Sequence, residues 1–135
     1  MSARDVHVQP NLEVALYAAL AADVALAAVA DYVGTQLPQK YHCGVVFAMA
    51  LSSSVIDGWL WRAIVDVHSV STDRVTSLAA LSQALASLLK LEGAVHGACT
   101  FGRVAHVTGP SYILDSTYDI PRPSFIGQVS ITYHP

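Results

Sequence analysis

The run from Trp59 to His68 (WLWRAIVDVH) restricts the fold more than any other stretch of the chain. Trp59, Trp61, Ala63, Val65 and Val67 fall on one parity, and Leu60, Arg62, Ile64, Asp66 and His68 on the other. Successive side chains of a strand point to opposite faces, so this alternation predicts a strand with one core face and one mixed face. The residues that follow say what covers the core face. Ser71–Thr72–Asp73 offers a choice of helix N-caps, and Val75, Leu78, Leu81, Leu85, Leu88 and Leu89 then recur at spacings of three and four. That is an amphipathic helix ending near Gly93. Ala79, Ala80, Ala84 and Ala86 would let it lie close to a sheet.

The remaining elements fit around this pair. Pro10–Asn11 opens a first helix capped by Asn11, with Leu12, Leu16, Ala19 and Leu20 at helical spacing. The stripe shifts at Val24, Leu26 and Val29, which predicts a short second helical segment from Asp23. Tyr32–Leu37 reads as a short strand halted by Pro38, and Val45–Leu51 as a buried strand followed by a turn over Ser52–Gly58. Phe101–Val107 alternates, with Phe101, Arg103, Ala105 and Val107 opposite Val104 and His106, and Gly109–Pro110 ends it. Ser111–Pro123 reads as a long connection. Ser124–Tyr133 is a final strand with Phe125, Val129, Ile131 and Tyr133 on one face. The expected fold is α+β in a single domain over residues 1–135: a mostly antiparallel sheet of about five strands, with two helices packed on one face.

Charge narrows the function. Only 13% of the 135 residues are charged, while 53% are hydrophobic. A small globule stays soluble through a charged exterior, so this shortage predicts that neighbouring subunits cover part of the surface. The formal net charge is −3, and the bases Arg4, Lys40, Arg62, Arg74, Lys90, Arg103 and Arg122 are scattered. Tight nucleic-acid binding needs clustered bases that displace counterions from phosphates, so it is not expected. The charge-free runs Tyr41–Ile56 and Val75–Leu89 fall short of the ~20 apolar residues of a membrane-spanning helix. The N-terminus MSARDVHVQPNLEV lacks the basic-then-apolar layout of a signal peptide. Cys43 and Cys99 permit at most one disulfide and read as small buried hydrophobes in a reducing compartment.

No catalytic motif stands out. Ser52–Ser54 lacks a G-x-S-x-G elbow and suits a turn. His42–Cys43 with His96-x-x-Cys99 lacks the tight paired spacing of a structural zinc site, so no metal is assigned. Neither G-x-G-x-x-G nor a Walker pattern occurs, and no cofactor is expected. Asp115 and Asp119 suit a solvated turn better than an acid–base pair. His68 and His106 read as half-buried, hydrogen-bonded strand residues. Trp59 and Trp61 read as core or subunit interface, because each buries a large apolar area. The segment 109–123 is the most informative irregular stretch. It is longer than most loops of compact domains and carries Tyr112, Ile113, Leu114, Tyr118 and Ile120. Such a load suits an arm reaching a neighbouring copy, or a loop folded back on its own domain.

Three blocks in order carry a resemblance to a known family. They are VGTQLP at Val33–Pro38, the strand-to-helix unit WLWRAIVDVHSVSTDRVTSLAALSQALASLL, and the closing VTGPSYILDSTYDIPRPSFIGQVSITY. Over nearly its whole length the chain resembles the tail terminator (tail completion) proteins of long-tailed bacteriophages, especially those infecting actinobacteria. Where such proteins typically carry P-R-Y, this chain has Pro121–Arg122–Pro123. The resemblance implies a structural protein of the virion, made in the host cytoplasm, that performs no catalysis. It implies a homohexameric ring on the tail tube that stops tube growth, with the major tail tube protein and a head-completion (connector) protein as partners. DNA would pass through the lumen without specific binding, which an acidic lining would favour.

Tyr112, Leu114, Asp115, Tyr118 and Arg122 are the expected contacts to a neighbouring subunit or the tube. Arg62 and Arg74, read as flanking the strand-to-helix turn, are the candidates for intersubunit ion pairs. Two other readings stand beside the first. One is a head-closure or connector protein of the same neck region. The other is a small α+β enzyme or ligand-binding domain with a pocket lined by Trp59, Trp61 and His68.

Overall fold

A computed structural model describes residues 10–34, 43–49, 54–57, 60–115 and 122–135. Helix α1 spans Leu12–Ala21, and the Asn11 side chain caps it by accepting the Val14 N–H. Asp23 caps the short helix α2 (Val24–Ala27), accepting the Leu26 N–H at 2.9 Å. Both caps satisfy N–H groups that a helix start leaves without partners. Strand β1 is Val33–Gly34, β2 is Cys43–Met49 and β3 is Ser54–Asp57. The long strand β4 (Leu60–Ser71) leads through Thr72 into helix α3 (Arg74–Leu89), which Asp73 caps. Strand β5 (Val95–His96) precedes β6 (Cys99–Asp115) and β7 (Arg122–His134).

The strands form one sheet in the order β1-β2-β4-β7-β6-β5, with β3 beside β4. The β1–β2 pair is parallel, and the other pairs are antiparallel. The α+β architecture stands as expected, with a richer and mixed sheet. Ser54–Asp57 was expected within a turn and is a strand; β5 adds another. Helices α1, α2 and α3 join one face of the sheet in a single cluster of buried residues. From the sheet it takes Trp61, Ala63, Val65, Val67, Val129, Ile131 and Tyr133. The parity read from the sequence therefore holds on β4 and β7.

Two expectations of face fail for identifiable reasons. On α3 the buried residues are Ser77, Ala80, Leu81, Ala84, Leu85, Ser87 and Leu88, while Val75 is 78% exposed and Leu78 40% exposed. The small side chains, not the leucines alone, face the sheet, and they let the helix approach it closely. Gly127 of β7 helps, since a Cβ there would stand 3.0 Å from the Leu85 side chain. On β6, Phe101 faces Tyr133 and Val104 faces Ile131, so three steps of β6 match two of β7. This bulge puts Phe101 and Val104 both in the core and turns Arg103 outward, against simple alternation.

The largest correction concerns Ser111–Pro123. Instead of a long connection, β6 runs on to Asp115 and β7 starts at Arg122, with Tyr112 opposite Phe125, Leu114 opposite Pro123 and Asp115 opposite Arg122. Gly109–Pro110 does not end the strand. It sits inside β6 at a register shift, where Gly109 adopts φ +90° and where a Cβ would lie 2.5 Å from the Ile126 carbonyl oxygen. Only glycine takes such a backbone without strain. Among the described residues, β6 pairs with β5 only at Cys99 and Thr100 and borders β7 on its other side.

Candidate functional site

The β6–β7 ribbon brings together two residues singled out separately in the sequence. Tyr112 lies across from Phe125 in register, and the rings meet edge to face at 5.3 Å between centroids. The guanidinium carbon of Arg74, the first residue of α3, stands 4.4 Å over the Tyr112 ring. A cation over an aromatic face is held by the ring quadrupole. The start of α3 is thus tied to the ribbon. Tyr112 is nonetheless 43% exposed, so its other edge remains open to a neighbour. Leu114, Asp115 and Arg122 occupy the far end of the described ribbon. Tyr118 lies outside the described residues.

Arg62 is elsewhere. It lies near the beginning of β4, nine residues before Ser71 and so about 30 Å from the turn into α3 at ~3.3 Å per residue. It does not flank that turn: β4 runs to Ser71, three residues beyond the expected end at His68, and the turn lies at the opposite end of the strand from Arg62. Arg62 projects from the face away from the helices. There it shares a shallow recess with Arg103, Ala105, Ser130 and Thr132. Nothing in the linear sequence signals this grouping apart from Gly102, since glycine within a strand often marks a bulge.

At the other end of β4, His68 is half-buried and hydrogen-bonded, as expected, and belongs to a polar set that is otherwise buried. The Ser69 hydroxyl donates to the Ser77 carbonyl at 2.7 Å, and the Ser77 hydroxyl returns a bond to the Ser69 carbonyl at 3.2 Å. The Ser124 hydroxyl also donates to the Ser69 carbonyl, at 2.7 Å, and pairs with His68 Nε2. With its one proton engaged there, Ser124 accepts from Nε2–H, which sets the tautomer of His68. Ser124 is fully buried; its pair with His68 ties β4 to β7, while Ser69 ties β4 to Ser77 of α3. His106 differs from expectation: it is exposed, with Nε2 bonded to the Thr108 carbonyl at 3.0 Å.

The pocket of Trp59, Trp61 and His68 does not form as expected. Trp61 is in the core, stacked on Tyr133 at 6.2 Å, while His68 lies on the opposite face of β4. Trp59 lies outside the described residues. Cys99 is a buried free thiol, and burial pushes its pKa up. Cys43 belongs to β2, and its side chain is outside the description, as are Ser52, Ser53, His42 and Asp119. Among the described residues no three of His, Cys, Asp or Glu converge as metal ligands. No described helix is long and apolar enough to cross a membrane.

Large apolar side chains stand open on the helical layer and its flanks: Val14, Tyr17, Val24, Val75, Leu78 and Leu89. Asp73 and Asp23 carry the clearest electrostatic perturbations. The Thr76 hydroxyl and N–H hold the Asp73 carboxyl below its ordinary value, and the Leu26 N–H does the same for Asp23. Both are cap residues whose carboxyl groups are engaged at the starts of α2 and α3.

The sequence matches no protein-family model and no curated protein. The fold is similar to that of a chain in a solved structure described as "Virion of native gene transfer agent (GTA) particle". The TM-score is 0.65 and the identity 15%, over 90% of this chain and 94% of that chain. At that identity the likeness is one of fold.

Proposed function

We propose that the protein is a structural component of a phage-like virion. More specifically, it forms a ring, a homohexamer, that caps the tail tube, ends its polymerisation and offers a surface for head–tail joining. The observation that carries the reading is the fold likeness to a chain of a gene transfer agent virion, which spans nearly the whole of both chains. The order of the VGTQLP, WLWRAIVDVH and closing GPSYILD…PRPSF blocks supports the finer assignment to a tail terminator. The exposed Val24 and Val75, at 84% and 78%, support a surface completed by neighbours. A polymer stops growing when its last interface is covered by a subunit that matches one side of the repeat and lacks the other.

In this reading the major tail tube protein lies below the ring and a connector protein above it, and DNA crosses the lumen without specific binding. The protein acts in the virion, carries no cofactor and performs no catalysis. Tyr112, Leu114, Asp115 and Arg122 of the ribbon, together with Tyr118 and with Arg74 at the Tyr112 ring, contact the neighbour or the tube. Deleting the gene tests the assignment: overlong tails without heads are expected. Tails of normal length on leaking heads would move the protein to the head-closure role instead.

A further inference from the structure

The recess on the helix-free face of the sheet has no part in the reading above beyond Arg62. Arg62 on β4 stands directly opposite Thr132 on β7, and Thr132 is clasped from the other side by β6. The Arg103 N–H donates to Thr132 Oγ1 at 2.7 Å, and that hydroxyl leans back on the Arg103 carbonyl at 3.4 Å. This clasp closes the bulge between Phe101 and Val104 and turns the Arg103 side chain to the same face as Arg62. Bulges re-aim side chains in this way. The backbones of Arg62 and Arg103 therefore stand on either side of Thr132 across three strands, about 10 Å apart at two strand spacings, and Ser130 lines the same recess. The recess holds about 200 Å³. Neither guanidinium pairs with an acid among the described residues. The acid of this face of β4, Asp66, is already engaged by Gln128 at 2.7 Å.

We propose that this recess binds the carboxylate of an acidic segment on a partner protein, with Arg62 and Arg103 as paired donors and Ser130 as a third. Guanidinium forks match carboxylate geometry, and charge-assisted hydrogen bonds are the strong ones. The patch favours a short acidic group over a nucleic-acid backbone. Asp66 lies four residues along β4 from Arg62, about 13 Å away, and would repel a continuous track of phosphates. Two arginines also neutralise too few phosphates for strong binding to DNA. The site stands apart from the ring reading, because it would serve any acidic protein partner.

Titration of the isotopically labelled full chain with a tetraglutamate peptide, followed by amide shifts, tests the site. Shifts are expected at Arg103, Ala105, Ser130 and Thr132, with a Kd of about millimolar, since exposed ion pairs are individually weak. The Arg62→Gln/Arg103→Gln double variant should weaken binding by about tenfold or more with its Tm unchanged. Absence of shifts in the wild type, or the same affinity in the double variant, overturns the proposal. So does a short duplex oligonucleotide that moves the same amides at lower concentration than the peptide.

Discussion

Asp73 shows how much a single side chain decides. It accepts the Thr76 N–H at 3.0 Å and the Thr76 hydroxyl, and so starts α3 where β4 ends. Its folded pKa lies below the ordinary 3.8 of the unfolded chain, so the native state binds the proton less readily. The stabilisation is complete above that ordinary value and disappears as pH falls through the lowered one. Asp23 follows the same sign. An Asp73→Asn variant keeps a capping oxygen without the titration, so its Tm should change less than that of the wild type between pH 5 and pH 3. Gly109 is the second decisive residue. Gly109→Ala would place a methyl against the Ile126 carbonyl and Gly127 Cα at positive φ, and should cost about 1–3 kcal/mol in denaturant unfolding. The cap at Asn11 was legible in the sequence, Asp73 was one of three candidates, and Asp23 marked the start of the second helical segment, because these causes are local. The role of Gly109 was not legible, because glycine before proline ends many strands, and only the register with β7 shows that this one continues.

At the scale of elements, the apolar alternation of β4 and β7 was legible because one parity of each is buried by the helices. On β6 the same reasoning failed, since bulges change parity without leaving a clear trace in residue type. The stripe expected on α3 holds at Leu81, Leu85 and Leu88 and fails at Val75, Leu78 and Leu89, because hydrophobicity alone does not decide burial. Close approach to the sheet instead selected Ser77, Ala80 and Ala84. The difference is measurable. Leu81→Ala, at a fully buried position, should cost about 2–5 kcal/mol. Leu78→Ala, at a position 40% exposed, should cost less than about 1 kcal/mol. The ribbon at the end of β6 and β7 gives a test of assembly. A Tyr112→Ala/Leu114→Ala double variant should keep its fold, since Tyr112 is part-exposed, yet lose higher-order assembly in light scattering. Assembly at wild-type levels would remove the ribbon from the interface.

The whole molecule divides its two sheet faces between different tasks. One is sealed by α1, α2 and α3 around a single core. The other is mixed in polarity and carries the recess of Arg62 and Arg103. The sequence announced the first face through its periodicities. It was silent on the second, whose residues come from three strands and meet only through register. Among the candidate contacts, the sequence named Arg74 and Tyr112 but not their mutual contact, for the same reason. The outer border of β6 has a consequence of its own. Its pairing with β7 shifts between Phe101 and Val104, between His106 and Thr108, and between Thr108 and Ser111. Between Phe101 and Ser111 a border so broken offers no even rung spacing to another molecule's backbone. Over that stretch, concentrated copies are thereby discouraged from zipping together into fibrils.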